Sequence, residues 1–496
     1  MVAIVERAKS FSDRVAFFGE GGEHSYADLV TRSAEVAAGL LQQNTDLKEE
    51  RVAFLVPTGF TYAAVQWGIW RAGGIAVPVN RGAAVPEIEH VLTLASVKRI
   101  VVSPEWLNVL GDLPANLGLE VVSPVDLSGD TPLPTINPSR RAMILFTSGT
   151  TSKPKGVVST HAMIEAQAST LVEAWGWRAD DRIPLFLPMH HLHGILNVLT
   201  CCLWAGAALE PFTKFDADRI CSRVADGVYT LFMAVPTIYN KLVGWLDIPD
   251  NSDQVAAVIA GFKAMRLMVS GSAALPASVH QDWARRTGQV LLERYGMTEI
   301  GMGLSNPLSG ERRAGMVGIP LPGVDLQLVA DSGDAVDGEG AVGEIWIKGP
   351  CVFSEYWDNP DATADSFNGD WFKTGDIATI EDGYFRIMGR SSVDIIKSGG
   401  YKLSALEIEA ALLDHPDIAE CAVVGLPDDE WGETVALAVV LVQGASLSLD
   451  ELKGWASDRL SAYKLPRLMH VTKGLPRNAM GKVTKPAVKA MFEGAP

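Results

Sequence analysis

Residues 145–157 read Leu-Phe-Thr-Ser-Gly-Thr-Thr-Ser-Lys-Pro-Lys-Gly-Val, which is a run of glycine and small hydroxyl residues directly after an apolar segment. In such a loop, backbone N–H groups and hydroxyls can donate to a polyphosphate, and Lys153 and Lys155 add positive charge. The same composition also fits a solvated surface turn. It does not fit a P-loop, because the residue before Lys155 is Pro154 rather than glycine and the residue after it is a glycine. The residues alone leave two interpretations open, a phosphate-binding turn of another kind and a solvated turn, and for an isolated loop of this composition the solvated turn is favoured.

Helical and strand patterns alternate on the N-terminal side of this loop. Apolar residues at helical spacing predict helices over residues 28–43 and 62–72. Short apolar runs predict buried strands over residues 51–57, 75–79 and 99–103. Alternating strands and helices are typical of parallel sheets covered by helices. We therefore predict an α/β fold whose large N-terminal domain contains parallel-sheet α/β subdomains.

The pattern changes from about residue 324 onward. Shorter β-type runs bounded by turn signals, such as GEIWIKG at residues 343–349, predict a β-rich subdomain. A compact mixture of helical and strand patterns follows it. We predict a large N-terminal domain over residues 1–390 and a small α+β C-terminal domain over residues 391–496.

Composition and charge restrict the class of protein. At 496 residues the chain exceeds what one hydrophobic core usually organises. A net charge of −17 argues against a nucleic-acid surface, which needs a basic face. Five cysteines without metal-ligand spacing suit a reducing compartment. The N-terminal segment lacks the apolar core of a secretory signal, and the longest apolar run, residues 195–209, is too short to span a membrane. We expect a cytoplasmic protein without a membrane span, either a monomer or a homodimer.

The string TSGTTSKPKG at residues 147–156 resembles the signature loop of the adenylate-forming superfamily, which includes acyl-CoA synthetases, peptide-synthetase adenylation domains and firefly-type luciferases. Further motifs of that superfamily follow in the same order, namely His190-His191-Leu192-His193-Gly194, Tyr295-Gly-Met-Thr-Glu299, Thr374-Gly-Asp376, Gly389-Arg390 and Gly481-Lys482. The resemblance covers almost the whole chain. It implies an ATP-dependent acid:CoA ligase that forms an acyl-adenylate, releases pyrophosphate and passes the acyl group to coenzyme A.

The resemblance also implies a nucleotide site. Tyr295 is expected against adenine, Thr298 at the α-phosphate, and Asp376 at the ribose hydroxyls. Glu299, together with Thr147, is expected to hold Mg²⁺, which prefers oxygen ligands and bridges phosphates. The full set that the resemblance assigns to ATP and AMP is Thr147, Ser148, Gly149, Thr150, Thr151, Ser152, Lys153, Lys155, Ser272, Ala273, Glu293, Tyr295, Gly296, Thr298, Asp376 and Arg390.

Lys482, in the sequence PRNAMGKV at residues 476–483, matches the catalytic lysine of the superfamily. An ammonium at this point would stabilise charge on the α-phosphate oxygens, and Thr298 and Glu299 complete the expected catalytic set. Coenzyme A must reach the same carbonyl in the second half-reaction. The resemblance therefore implies that the small domain rotates between the two steps, about a hinge within residues 391–394. The residues that it assigns to coenzyme A are Ser398, Gly399, Gly400, Tyr401 and Lys402.

Arg294 directly precedes Tyr295, and a guanidinium at this point suits a second carboxylate, which it can hold by two parallel hydrogen bonds. A buried unpaired arginine would be costly in a fatty-acid pocket. The strings HHLHG, SGSAALP and ERYGMTE are similar to those of malonyl-CoA synthetases within the superfamily. This similarity implies that Arg294 binds the free carboxylate of malonate, with His191 and Ser270 nearby.

Other interpretations stay open at this point. Arg294 could pair with Glu293 or with a phosphate, which would leave a neutral acyl pocket and a short-chain or aryl acid:CoA ligase. An inactive nucleotide-binding interaction protein is a third hypothesis, and it is disfavoured because every expected catalytic position is filled. Acceptance of methylmalonate alongside malonate is also left open.

Overall fold

The computed structural model describes residues 2–147, 154–249, 252–399, 401–477 and 483–492. Three short irregular helices lie in these ranges: a π-helix at His193–Thr200 and 3₁₀ turns at Pro124–Asp126 and Ala462–Lys464. The α-helices in the described ranges are α1 (Ala3–Lys9), α2 (Tyr26–Leu41), α3 (Phe60–Arg71), α4 (Val85–Leu94), α5 (Pro104–Leu110), α6 (Leu113–Asn116), α7 (His161–Ala174), α8 (Cys201–Ala205), α9 (Ala217–Ala225), α10 (Pro236–Leu246), α11 (Ser252–Ala264), α12 (Ala277–Thr287), α13 (Pro360–Ser366), α14 (Ala405–Leu412), α15 (Leu449–Ala456) and α16 (Lys485–Ala490).

The strands in the same ranges are β1 (Val15–Phe17), β2 (His24–Ser25), β3 (Arg51–Leu55), β4 (Ile75–Pro78), β5 (Arg99–Val102), β6 (Glu120–Val122), β7 (Arg141–Thr147), β8 (Lys155–Thr160), β9 (Arg182–Leu185), β10 (Ala208–Pro211), β11 (Leu231–Ala234), β12 (Leu267–Ser270), β13 (Leu292–Met297), β14 (Gly301–Ser305), β15 (Ile319–Pro320), β16 (Asp325–Val329), β17 (Ala335–Val336), β18 (Val342–Lys348), β19 (Glu355–Tyr356), β20 (Phe367–Asn368), β21 (Trp371–Glu381), β22 (Tyr384–Arg390), β23 (Ile395–Ser398), β24 (Tyr401–Ser404), β25 (Ile418–Asp428), β26 (Gly432–Leu441) and β27 (Leu468–Val471).

The sheet that carries the predicted phosphate loop has the strand order β19-β8-β7-β4-β3-β5-β6. From β7 to β6 neighbouring strands are parallel. Alternate residues of β3 join two different hydrophobic clusters, with Val52 and Phe54 in one and Ala53 and Leu55 in the other. This alternation explains why the strand reads as a continuous apolar run, because both faces of the sheet are covered. β8 pairs antiparallel with β7, since the short connection between them leaves no room for the crossover that a parallel pair needs.

A second sheet, of order β11-β12-β13-β14-β15, holds the middle motifs of the chain. β11, β12 and β13 are parallel, and α10 to α12 lie in the connections between them. β14 then returns antiparallel to β13 through a tight turn at residues 298–300. The turn places Thr298 and Glu299 at the end of a buried strand, where side chains of functional sites are commonly found.

Two further sheets complete the predicted large domain. One has the order β2-β1-β10-β9, and the other has the order β17-β16-β18-β21-β20 with β22 paired to β21. Each described pair of neighbouring strands in the second sheet is antiparallel, which agrees with the turn-bounded runs after residue 324. The β-rich subdomain is therefore confirmed.

The C-terminal sheet has the order β24-β23-β26-β25, with β27 paired to β26. Ile396, Ile408, Val423 and Leu437 belong to a hydrophobic cluster of this unit. β25 and β26 are the longest strands of this sheet, and they pair with each other along the whole length of β25. The predicted α/β fold with a small mixed C-terminal unit is confirmed. No helix in the described ranges is long and apolar enough to cross a membrane.

The apolar run at residues 195–209 begins within the buried π-helix and continues into α8. Wide helical turns of this kind are rare and occur mostly at functional sites. The Thr200 hydroxyl donates to the Ile195 carbonyl at 2.7 Å, which satisfies one backbone acceptor of the irregular turn. The π-helix begins at His193, inside the histidine motif, and so determines which histidine faces inward.

Candidate active site

The base of the predicted phosphate loop is the β7–β8 hairpin. Thr147 pairs with Lys155 in the antiparallel register, and the Thr147 hydroxyl donates to the Lys155 carbonyl at 3.4 Å. The Lys155 ammonium lies 4.6 Å from the centroid of the Tyr356 ring. The residues of the loop itself lie outside the described residues, namely Ser148, Gly149, Thr150, Thr151, Ser152 and Lys153.

Glu299 lies in the turn between β13 and β14, next to the partly buried Thr298. Its carboxylate is buried and accepts a hydrogen bond from the Tyr356 hydroxyl at 2.9 Å. Burial raises the pKa of Glu299, while the Tyr356 hydrogen bond and the charges of Arg390 and Lys155 oppose that increase. A buried carboxylate next to two cationic groups suits a site that receives a metal cation and phosphates.

Three of the predicted nucleotide residues lie together. The Tyr295 hydroxyl donates to Asp376 Oδ2 at 2.5 Å, and Arg390 Nε lies 3.1 Å from Asp376 Oδ1. Asp376 and Arg390 are direct register partners on β21 and β22. Burial raises the pKa of Asp376, and the Arg390 charge opposes this shift. Burial followed by the Asp376 charge raises the pKa of Tyr295 well above its usual value, so the phenol stays a donor.

Strand β13 presents different residues on its two faces. Side chains alternate along a strand, so Arg294 points to the face opposite to Tyr295 and Glu293. Tyr295 reaches Asp376, whereas the Arg294 guanidinium lies against Gly271, where an added Cβ would come within 2.7 Å of Arg294 Cζ. One strand therefore separates the nucleotide residues from the predicted acyl pocket.

Arg294 is 3% exposed and forms no ion pair with any carboxylate in the described part of the chain. Its Nη2 group donates to the Ser272 hydroxyl at 3.2 Å, and its Nε atom has no described partner. Burial lowers the pKa of Arg294 to about 10, so the guanidinium is still charged at neutral pH. Burial of a charge without a counterion is costly, and an anionic ligand would offset that cost.

The Ser272 hydroxyl connects Arg294 to His193, whose Nδ1 lies 3.2 Å away. Arginine only donates, so the hydroxyl hydrogen of Ser272 is left to donate to His193 Nδ1. Burial, together with the charges of Arg294 and His191, lowers the pKa of His193 well below its usual value. The neutral ring then carries its hydrogen on Nε2, a buried atom that has no partner among the described residues.

The structure shows which of the predicted acyl-pocket residues contact Arg294 directly. We predicted Ser270 next to Arg294, but the register aligns Ser270 with Glu293, on the face of β13 away from Arg294. Ser272 makes the contact instead, because its backbone takes a left-handed conformation (φ 70°) just after β12 ends. We also predicted His191 nearby; His193 makes the contact with Ser272, and the charge of His191 is close enough to lower the pKa of His193. The ring of His191 packs on His190, with centroids 4.0 Å apart.

Sequence reasoning missed His193 and Tyr356, which contact predicted site residues, and it did not use the buried polar Asn197 in the same π-helix as His193. Asn197 is fully buried in the π-helix, and neither its amide oxygen nor its amide nitrogen has a described partner. Its presence in an apolar run was a signal that could have been used. Tyr356 could not be found from spacing, because it lies 57 positions from Glu299.

The remaining predicted nucleotide residues lie on β13 and on the loop that follows β12. Ser272 and Ala273 are exposed in the loop after β12, and Gly296 packs so tightly on β14 that an added Cβ would lie 2.1 Å from the Gly301 carbonyl. Glu293 is buried, and its Oε1 atom accepts from the Leu275 N–H at 3.4 Å. Glu293 and Gly296 thus lie on the same strand as Tyr295, whereas Ser272 and Ala273 lie on the loop that contacts Arg294.

Glu293 does not neutralise Arg294. Burial raises the pKa of Glu293 to about 8, against the opposing effects of hydrogen bonds from the Leu275 and Gly315 backbone and of the Arg294 charge. Its side chain also points to the other face of β13. The interpretation in which Arg294 pairs with Glu293 is therefore not supported by this geometry.

The raised pKa of Glu293 should make the stability of the folded protein depend on pH. The pKa of Glu293 is about 8 in the folded protein and 4.5 for an ordinary glutamate. The stabilisation of the fold by the Glu293 proton is therefore fully present below pH 4.5, and it is lost as the pH rises through the folded-state pKa of about 8. We expect the wild-type Tm to fall relative to Glu293→Gln between about pH 5 and pH 9, by about 2 °C or more. Thermal unfolding followed by circular dichroism measures this, and the exposed Glu89→Gln variant should behave as wild type. Parallel curves for wild type and Glu293→Gln would contradict the assignment.

The predicted coenzyme A residues lie at the β23–β24 hairpin. Ser398 is buried and pairs with Tyr401, whose ring is exposed and stacks on Tyr463 at a centroid distance of 4.6 Å. The Gly399 N–H donates to the Trp431 carbonyl at 2.9 Å. Gly400, the side chain of Lys402 and the predicted catalytic Lys482 lie outside the described residues.

The donor set near Glu299 fits Mg²⁺. No group of three or more His, Cys, Asp or Glu side chains in the described ranges is arranged to hold a metal by itself. Mg²⁺ is usually held by one or two carboxylates together with substrate phosphates, not by a full protein cage. Glu299 supplies one such carboxylate, with Thr147 at the end of the neighbouring hairpin.

Comparison with known proteins gives a consistent result. Residues 4–357 match the AMP-binding enzyme family, and residues 407–482 match the AMP-binding enzyme C-terminal domain. The malonate–CoA ligase ACSF3, mitochondrial, of Mus musculus is 41% identical, with 98% of this chain and 89% of that protein covered. The malonate–CoA ligase of Arabidopsis thaliana is 37% identical, with 99% of this chain and 88% of that protein covered.

A solved structure gives the same result for the fold. The crystal structure of ATP-bound MatB from Rhodopseudomonas palustris superimposes with a TM-score of 0.88 at 31% sequence identity, over 100% of this chain and 99% of that one. The resemblance to adenylate-forming enzymes is thus confirmed, and the chain belongs to the AMP-binding enzyme family.

Proposed function

We propose that this chain is an ATP-dependent malonate:CoA ligase, which forms malonyl-CoA through malonyl-adenylate and releases AMP and pyrophosphate. The observation that carries the proposal is the buried Arg294 guanidinium, which has no counter-carboxylate among the described residues and lies one position from the nucleotide residue Tyr295. The malonate–CoA ligases among the relatives support the same substrate.

The first half-reaction requires that two anions meet, so the site must supply positive charge and hold both reactants in line. Lys155 and the loop that precedes it would bind the β- and γ-phosphates of ATP. Asp376 and Arg390 would bind the ribose, and Tyr295 would lie against adenine while its hydroxyl fixes Asp376. Glu299 would hold Mg²⁺, which neutralises phosphate charge when bound.

The second carboxylate of malonate would lie against Arg294. Two parallel N–H···O bonds from a guanidinium fix both the position and the orientation of a carboxylate. Ser272 would orient the guanidinium, and the neutral His193 would offer its Nε2–H as a further donor. With one carboxylate held in this way, the other would be left for the α-phosphate at the carboxyl end of β13, where Thr298 lies. A monocarboxylate such as acetate would leave these donors unpaired.

The division into domains is part of this proposal. We place the boundary between residues 390 and 391, where β22 ends and a short turn leads to β23. The C-terminal part, residues 391–496, would present Lys482 during adenylation. It would then rotate to bring the hairpin with Ser398, Gly399 and Tyr401 to the acyl-adenylate, so that the thiol of coenzyme A attacks. Five free cysteines support a reducing compartment, and we place the reaction in the cytoplasm.

A pyrophosphate-release assay with malonate, methylmalonate, acetate, octanoate and benzoate tests the proposal. We expect kcat/KM for malonate to exceed that for acetate and benzoate by about a hundredfold or more, because the monoacids leave a buried charge unpaired. Methylmalonate keeps both carboxylates and should be a slower substrate. Equal rates with acetate or benzoate would favour the short-chain or aryl ligase. Absence of ATP consumption with every acid would favour the inactive nucleotide-binding protein.

A further inference from the structure

We propose that Tyr356 is a positioning residue for magnesium-ATP, with its hydroxyl fixing the Glu299 carboxylate and its ring fixing the Lys155 ammonium. This inference rests on the proposed function, because it assumes that Glu299 and Lys155 meet Mg²⁺ and the phosphates. It does not depend on which acid is activated. Nothing in the sequence motifs assigned a role to Tyr356.

The first support is the pair of contacts that this one side chain makes. The Tyr356 hydroxyl donates to Glu299 Oε1 at 2.9 Å, and the Lys155 ammonium lies 4.6 Å from the ring centroid. A hydroxyl has a single hydrogen to donate, so this contact occupies only one of the several lone-pair positions of the carboxylate and leaves others for a cation. A cation over an aromatic face is attracted by the ring quadrupole, which restrains a flexible lysine without neutralising it.

The second support is the rigidity of the segment around Tyr356. It belongs to β19, which pairs with β8, so that Tyr356 lies opposite Val157, two residues beyond Lys155. The Tyr356 N–H donates to the Thr363 hydroxyl at 3.0 Å. The Phe353 N–H donates to the Glu299 carbonyl at 2.7 Å, so the same short segment holds both the backbone and the side chain of Glu299. A side chain anchored in this way can fix its neighbours before the ligand arrives.

The third support is that, among the described residues, Lys155 and Glu299 both contact Tyr356 instead of pairing with each other. Lys155 and Glu299 have opposite charges and both touch Tyr356, yet they form no ion pair with each other in the described part of the chain. If they paired directly, the lysine would be lost to the phosphates and the carboxylate would be lost to Mg²⁺. We infer that Tyr356 keeps the two groups apart and available.

Two variants separate the functions of the hydroxyl and the ring. Tyr356→Phe removes the hydroxyl and with it the hydrogen bond to Glu299, whereas Tyr356→Leu also removes the aromatic face under Lys155. The matched control is Tyr384→Phe, because the Tyr384 hydroxyl donates to the Glu311 carbonyl at 3.0 Å in another part of the fold. The measurement is calorimetric binding of ATP to each purified protein, once with excess Mg²⁺ and once with EDTA.

For Tyr356→Phe we expect the Kd of ATP with Mg²⁺ to rise about tenfold, as for loss of one hydrogen bond to a charged group, and the Kd in EDTA to change less than about threefold. Tyr356→Leu should weaken ATP binding in both conditions. Equal weakening of Tyr356→Phe with and without Mg²⁺, or no weakening in either, would overturn the proposal. If Tyr356→Leu fails to fold, the phenylalanine variant decides alone. The KM for malonate should not change in Tyr356→Phe, which keeps this test independent of the acid preference.

Discussion

Replacing Arg294 with alanine is expected to lower kcat/KM for malonate by about a hundredfold or more, which corresponds to about 3 kcal/mol of lost transition-state stabilisation. The physical reason is that the distal carboxylate would enter a buried site without its charge partner. Removing the partner of a buried charge costs more than the pair contributes, because the remaining charge stays desolvated. Initial rates of pyrophosphate release measure the effect.

The direction of the change in specificity is as informative as its size. Acetate makes no use of Arg294, so its kcat/KM in Arg294→Ala should be no lower than in wild type, and the preference for malonate should collapse. Arg294→Lys keeps the charge but loses the planar fork, so we expect an intermediate loss, about tenfold. The exposed Arg285 pairs with Asp282 on α12 and supplies the control, since Arg285→Ala should leave malonate activation unchanged. A malonate kcat/KM within about threefold of wild type in Arg294→Ala would show that another group binds the distal carboxylate.

Features that depend on local sequence could be predicted. Short contiguous segments of sequence determine the apolar strands, the glycine-rich loop and the residue types of β13. The structure places Tyr295 and Arg294 on opposite faces of β13, as the alternation of side chains along a strand requires. The contacts of Asp376 with Tyr295 and Arg390 join residues from separate motifs. The family resemblance predicted that these three residues belong to one nucleotide site. Local patterns of this kind predict the structure correctly because they match the geometry of the helix or strand that they form.

Features that depend on irregular backbone could not be predicted. Ser272 replaces Ser270 next to Arg294 because the chain takes a left-handed conformation after β12, which no periodic pattern indicates. His193 contacts Ser272 and is the first residue of a π-helix, an irregular turn that no periodic pattern indicates. Tyr356 reaches Glu299 only through the pairing of β19 with β8. Motifs thus identified the candidate residues, and the irregular backbone determines which member of each motif makes the contacts with Arg294 and Ser272.

Replacing Lys482 with alanine is expected to reduce malonate adenylation by about a hundredfold to a thousandfold, the usual effect of removing one transition-state donor. The lysine would stabilise charge on the α-phosphate oxygens only in the first half-reaction. In the second half-reaction a thiol attacks an adenylate that already exists, and the proposed rotation takes the lysine out of the site. We therefore expect the variant to convert supplied malonyl-adenylate and coenzyme A to malonyl-CoA within about threefold of the wild-type rate.

The two half-reactions together discriminate between a chemical and a structural role for Lys482. Loss of the small domain's fold would impair both steps, because the hairpin with Ser398, Gly399 and Tyr401 belongs to the same unit. Loss of one ammonium should impair only the step in which phosphate charge develops. Lys473→Ala is the matched control, an exposed lysine of the same C-terminal segment, and both of its rates should equal those of wild type. Equal losses in the two half-reactions of Lys482→Ala, with an unchanged Tm, would contradict the assignment, since a group confined to adenylation cannot slow a reaction that begins after adenylation is complete.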